Sequence, residues 1–201
     1  MGLHLPLPYL DPTGTSEYNL ESILILGGSS GVGASAIQHL RLSLPNATIL
    51  ATSSTQHHGR LVSLGATKVF ERTAEIADIK TSTPGDTGVD AIIDAVGAAG
   101  SRPSIFDALS PNGPKLYSQV ITGQNITVPE GIKATMVTGR QLFDTKGGLA
   151  IMPVLAQLLE DDKFQLPTKV EIIGKGFEAI KPGLDRLMKT GVSGNKLVVS
   201  I

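Results

Sequence analysis

The sequence predicts an α/β protein: a doubly wound parallel sheet of strand order 3-2-1-4-5-6, with a small C-terminal β-α-β appendage. Three observations predict it. Short apolar runs, most clearly Ile23-Leu-Ile-Leu26, read as strands buried on both faces. Helix-like stretches alternate with these runs at the spacing of βαβ units, whose crossovers are right-handed. The first run opens into Gly27-Gly-Ser-Ser-Gly-Val-Gly33 and then a helix-like stretch, and strand, glycine-rich turn, helix is the context that gives such a turn meaning.

Residues 1–21 carry Pro6, Pro8, Pro12 and Gly14 and read as a linker laid on the surface. Strand one is expected over 22–27 and the first helix over 32–44, stopped by Pro45-Asn46. Strand two follows at 47–52, then a helix at 56–64 closed by Gly65 in the position after its C-cap. A short third strand (67–71), a helical turn or two (73–80) and a loop around Pro84-Gly85 lead to a fourth apolar strand at 89–96. A short helix (104–109) stops at Pro111-Asn112-Gly113. Strands five and six are expected at 115–121 and 133–138. Beyond them, 149–162 has apolar residues at helical spacing. The stretches 168–173, 177–189 and 195–201 read as strand, helix, strand, with Pro182 suited to a first helical turn. The whole is one domain, with 165–201 as the appendage.

The glycine turn marks this fold as Rossmann-type. Small residues let the chain turn sharply, let a pyrophosphate approach the backbone and let helix and strand pack closely. The helix start offers free N–H groups and the positive end of a dipole. Gly28, Ser29, Ser30, Gly31, Val32 and Gly33 are therefore the candidate cofactor-binding residues. The match to G-x-G-x-x-G is imperfect, because Ser30 stands at the middle glycine. A turn that keeps the fold without holding a cofactor is the alternative. A nucleoside-triphosphate loop is excluded: Ala34 follows Gly33, so the phosphate-gripping Lys and the Mg-binding hydroxyl are missing.

Composition narrows the classes. A net charge of −1 over 201 residues draws the chain neither to nucleic acid nor to anionic lipid. Aromatic residues are 4 % with no Trp, which argues against a base-stacking surface. The absence of cysteine rules out disulfides and thiolate chemistry, and His4 and His39 show no metal-ligand spacing, so no metal is expected. The N-terminus lacks a charged n-region and a long apolar h-region, and no apolar run is long enough to span a bilayer. The expectation is a cytoplasmic protein acting on a small molecule.

Several stretches together resemble the medium-chain dehydrogenase/reductase superfamily, and within it the fungal enoyl-reductase-like members that act in trans. They are Ile23-Leu-Ile-Leu-Gly-Gly-Ser-Ser-Gly-Val-Gly33, Ile49-Leu-Ala-Thr-Ser53, Leu61-Val-Ser-Leu-Gly-Ala66, Val89-Asp-Ala-Ile-Ile-Asp-Ala-Val-Gly97, Val128-Pro-Glu-Gly-Ile132, Gly183-Leu-Asp-Arg-Leu187 and Gly191-Val-Ser-Gly-Asn-Lys-Leu-Val-Val199. Their order and spacing carry the resemblance, from about Leu5 to the end. It implies a GroES-like catalytic domain ahead of the dinucleotide domain. This chain begins just before strand one, so the expectation is a protein lacking that domain and one wall of the substrate cleft. Short-chain dehydrogenases compete for the glycine pattern but need a Tyr with a Lys four residues on, to lower the phenol's pKa. Here Thr13, Ser22 and Ile121 follow the three tyrosines at that distance, and the reading falls.

Cofactor choice is written at the end of strand two, where an NAD site wants a carboxylate. Thr52, Ser53, Ser54 and Thr55 stand there instead, which leaves room for the added phosphate of NADP(H). His57, His58 and Arg60 are the nearest candidates for it, although a solvated helix start with two surface histidines is the better reading, since neutral histidines bind phosphate weakly. The resemblance places Asp94 and Gly97 beside the nicotinamide ribose, while Asp94 could equally cap the next turn. Tyr117 on strand five is the candidate catalytic acid, set against a packed core tyrosine. The expected function is an NADPH-dependent enoyl or carbonyl reductase of fungal secondary metabolism. The alternative is an isomerase, cyclase, lyase or docking subunit that uses no cofactor. The open edge of strand six and the apolar tail predict a homodimer, or a partner protein on that face.

Overall fold

The computed structural model describes residues 3, 5, 7–123 and 126–201. Met1, Gly2, His4 and Pro6 of the expected linker, and the pair at 124–125, lie outside the described residues.

Six parallel strands form one sheet: β1 (Ser22–Leu26), β2 (Thr48–Thr52), β3 (Lys68–Phe70), β4 (Ala91–Asp94), β5 (Leu116–Val120) and β6 (Lys133–Val137). Their order is β3-β2-β1-β4-β5-β6, as expected from the sequence. Successive residues of β1 feed the two faces. Ile23 and Ile25 join one core with Ile37, Leu40 and Leu61, whereas Leu24 and Leu26 join the other with Ile79, Ile105 and Phe106. A strand covered on both faces must be apolar throughout, which is why Ile23–Leu26 was legible as one.

The first core sits under α1 (Gly31–Ser43) and α2 (His58–Ser63). The second lies under α3 (Ile76–Lys80) and a 3-10 helix, Pro103–Ala108, which follows the single turn α4 (Ala98–Ser101). Two expectations shift for physical reasons. The fourth strand stops at Asp94 and not at 96, because the Asp94 carboxylate takes the N–H groups of Val96, Ala98 and Ala99 and folds the chain into a turn. Residues 1–21 are more than a surface linker, since Leu3 and Leu20 are buried in the first core.

The tail forms a unit of its own. After α5 (Ile151–Glu160), β7 (Lys169–Lys175) and β8 (Asn195–Ser200) pair in parallel as a two-stranded sheet, joined by α6 (Ile180–Thr190). The two strands bond each other, and the tail is tied to α1 by a reciprocal pair. The Gln38 amide donates to the Gln165 carbonyl, and the Gln165 N–H donates to Gln38 Oε1 at 2.7 Å. Among the described residues, no helix is long and apolar enough to cross a membrane.

Candidate active site at the sheet switch point

The strand order reverses between β2 and β4, on either side of β1, and ligands of open α/β sheets bind beyond the carboxyl ends of strands at such a point. Here the turn after β1 is braced against its neighbour. Gly27 turns in the left-handed region (φ 75°), its N–H donates to Thr52 Oγ1, and the Gly28 N–H donates to the Thr52 carbonyl. Ser30 is the N-cap of α1, its hydroxyl accepting from the Gly33 N–H at 3.0 Å. The first-turn N–H groups of Gly31 and Val32 have no intrahelical acceptor. At Gly33 the helix meets the turn so closely that a β-carbon would lie 2.3 Å from the Gly27 carbonyl oxygen.

A crevice of about 400 Å³ opens there. Its lining includes Gly27, Ser29 and Ser30 from the turn, Thr52 and Ser53 from the end of β2, and Val96 from the loop after β4. Arg72 and Arg102 stand at its side, and Val192, Ser193 and Gly194 of the tail close it. Ser53 is 1 % exposed, and its hydroxyl has no hydrogen-bond partner among the described residues. A buried hydroxyl without a partner costs roughly 1–3 kcal/mol, so a polar ligand atom in the crevice would relieve it.

Of the residues singled out from sequence, Ser29, Ser30 and Ser53 line the crevice. Gly28, Gly31, Val32 and Gly33 do not; Gly28 faces Ala51 and Leu61 in the core. Ser54 accepts from Arg72 Nη2 at 2.5 Å. Arg60, expected as the phosphate-binding cation, turns the other way and donates to the Leu166 carbonyl at 2.6 Å. Gly97 holds a left-handed turn (φ 72°) at the start of α4. Tyr117 takes the packed-core alternative. It is 1 % exposed, packs edge-on against Phe106 and donates to Asp94 at 3.0 Å. Burial first, and then the Asp94 charge, push its phenol well above the ordinary range. Tyr117 and Asp94 thus brace the β4–α4 turn from within the core.

Residues that sequence reasoning missed complete the site. Arg72 follows β3, and Arg102 donates to the Arg72 and Ala74 carbonyls, which holds that loop in place. The signal for Arg72 lay in the predicted order 3-2-1, which sets the end of strand three beside the end of strand two. Nothing local marks 192–194, some 140 residues beyond Ser53. The end of β2 is markedly cationic. Burial, and then Arg60, Arg72, Lys169 and His58, hold the His57 imidazole below its ordinary value. Among the described residues no cluster of His, Cys, Asp or Glu could hold a metal ion.

No family model matches the chain. Curated fungal proteins do: a trans-enoyl reductase of Aspergillus japonicus is 30 % identical over 205 residues, covering 99 % of this chain and 56 % of the relative. A trans-enoyl reductase of Alternaria alternata is 32 % identical over 211 residues, covering 99 % and 59 %. The chain is homologous to these fungal trans-enoyl reductases over nearly its whole length. It spans a little over half the length of these two relatives. Solved structures agree on the fold. The CurK enoyl reductase superposes with a TM-score of 0.64 at 21 % identity, over 98 % of this chain and 61 % of that one. An NAD-dependent alcohol dehydrogenase superposes with a TM-score of 0.66 at 21 % identity, over 90 % and 51 %.

Proposed function

We propose that this protein is an NADP(H)-dependent, enoyl-reductase-like oxidoreductase of fungal secondary metabolism. The observation that carries the reading is the switch-point crevice, with its capped helix start, its unpartnered Ser53 hydroxyl at the end of β2 and Arg72 after β3, in a chain whose relatives are named trans-enoyl reductases. The residues present fit a dinucleotide. The start of α1, with Ser29, Ser30 and the Gly31 and Val32 N–H groups, would take the pyrophosphate. Ser53, Ser54 and Arg72 would take the phosphorylated adenosine ribose, since no carboxylate of β2 stands there to repel the added charge. A bound nicotinamide dinucleotide supplies hydride to an activated C=C or C=O bond. Tyr117, sealed in the core, is not placed to deliver a proton, and Asp94 is spent on holding the turn. The role of both is to keep the β4 wall of the crevice rigid. Val96 lies against Gly27 on that wall.

The proposal extends to location and partners. The protein acts in the cytoplasm, and a second protein surface, foremost another copy of the chain, covers the apolar side chains Val170 and Ile172 of β7, both exposed in the isolated chain. Sedimentation showing a monomer at high concentration would remove that part. The cofactor part is tested by calorimetry with NADPH and NADH, followed by NADPH oxidation with a 2-enoyl thioester. Saturable NADPH binding supports the reading. No heat and no thermal shift at millimolar NADPH would overturn it and favour a cofactor-free pocket.

A further inference from the structure

His57 stands outside the crevice but one hydrogen bond from it. Its Nε2 lies 2.7 Å from Ser193 Oγ, and the Gln56 amide nitrogen lies 3.2 Å from Nε2 and 3.3 Å from Ser193 Oγ. The ring packs flush against the tail loop, so a β-carbon on Gly194 would come within 2.7 Å of it. Ser193 and Gly194 themselves line the crevice. The imidazole therefore clasps the loop that forms one wall of the site.

When the neutral ring carries its proton on Nδ1, uptake of a second proton at Nε2 reverses the direction of the bond to Ser193. With Nε2 unprotonated, Ser193 donates to the ring and accepts from Gln56. With Nε2 protonated, the ring donates to Ser193 Oγ, whose second lone pair still serves the Gln56 amide, and the serine hydroxyl is free to donate elsewhere. The crevice is where it can do so. The charges facing His57 come from every side: His58 and Arg60 along its own helical stretch, Arg72 after β3 and Lys169 on β7. Glu71, held by the Thr55 hydroxyl, is the carboxylate on the β3 side. The Gly191–Gly194 loop brings no charge. A cluster so rich in fixed cations opposes one more positive charge while empty, and welcomes it once an anion lies among them.

Resting on the cofactor reading above, we propose that His57 is a proton-coupled positioning residue: a dinucleotide carrying the 2′-phosphate binds with uptake of one proton at His57, and the protonated ring releases the Ser193 hydroxyl to the ligand. The proton comes from solvent, and no bond to carbon forms or breaks. Discrimination between phosphorylated and unphosphorylated cofactor then depends on pH, although no acid group of the crevice contacts the phosphate.

The experiment is calorimetry of NADPH and NADH on the full chain, in buffers of contrasting ionisation heat, between about pH 8.5 and 6.5. That window stays above the second ionisation of a phosphate monoester, near pH 6. NADPH should take up a measurable fraction of a proton and tighten about three- to tenfold toward the acid end, while NADH stays within about twofold. His57→Gln should flatten the NADPH profile at the wild-type alkaline affinity. Ser193→Ala should keep the wild-type melting temperature and lose the acid gain. A profile unchanged in His57→Gln, shared by NADH, or moved only by His58→Gln would overturn the assignment and leave the reductase reading standing. NADPH that fails to bind at any pH would overturn both.

Discussion

The Tyr117 hydroxyl donates to Asp94 across 3.0 Å, from the middle of β5 to the end of β4, with both side chains fully out of solvent. The same carboxylate accepts three backbone N–H groups of the turn that follows. A phenol that could have been read as a catalytic acid is thereby a brace. Tyr117→Phe should cost about 1.5–3 kcal/mol, the value of a hydrogen bond to a charged group, with little loss of cofactor affinity. Chemical denaturation with NADPH calorimetry checks this. A variant of normal stability that had lost all reductase turnover would return Tyr117 to the chemistry.

The glycines of the turn separate into two kinds. Gly33 has no room for a side chain against the Gly27 carbonyl, whereas a β-carbon at Gly31 meets only Thr168 Cγ2 at 3.9 Å. Gly33→Ala should therefore destabilise by about 2 kcal/mol or more, the scale of forced overpacking. Gly31→Ala should fold normally. Thermal melts of the two variants, side by side, decide the matter; equal melting temperatures would contradict the close approach.

Arg72 and Arg60 make a second contrast. Arg72 lines the crevice beside Ser54, while Arg60 is engaged with the Leu166 carbonyl. Arg72→Ala should weaken NADPH by about 1–2 kcal/mol, roughly five- to thirtyfold, and NADH much less, because a charge-assisted contact to the added phosphate is lost. Arg60→Ala should leave the ratio of the two affinities unchanged. Binding titrations with both cofactors are the measurement, and a ratio that moved with Arg60 alone would reassign the phosphate site.

Acid should loosen the fold through His39. The Tyr9 hydroxyl lies 2.5 Å from His39 Nδ1, in hydrogen-bond contact, and the imidazole stacks on Phe164. Burial holds the His39 imidazole below its ordinary value. The unfolded chain thus binds a proton that the folded chain refuses, and stability falls as pH drops from the ordinary histidine range, near 6.5, toward the lowered folded value. The slope is at most about 1.4 kcal/mol per pH unit for one such group. Melting temperatures at about pH 7.5 and 5.5 should differ, and His39→Gln should shrink the difference. A wild type that gained stability on acidification would refute the sign.

The sequence by itself determined the sheet and its order. Strands covered on both faces must be apolar along their whole length, so Ile23–Leu26 announces itself without reference to any partner. The sharp turn and close helix approach likewise demand small residues at 27 and 33, whatever the rest of the chain does. Ser30 as a helix cap is equally local, since its acceptor serves an N–H three residues on. What only the tertiary structure decided is which side chains converge beyond the strand ends. Arg60 and Arg72 are equally cationic in sequence, and their different fates depend on Leu166 and Ser54, which the chain brings to them from elsewhere. Tyr117 is core because β5 lies against β4 with Tyr117 paired to Ile92, a register no local pattern encodes. The clasp of His57 on Ser193 joins residues 136 apart. Propensity and periodicity are properties of neighbours along the chain. A crevice closed by five separate segments is a property of how crossovers pack, and it exists only once they have.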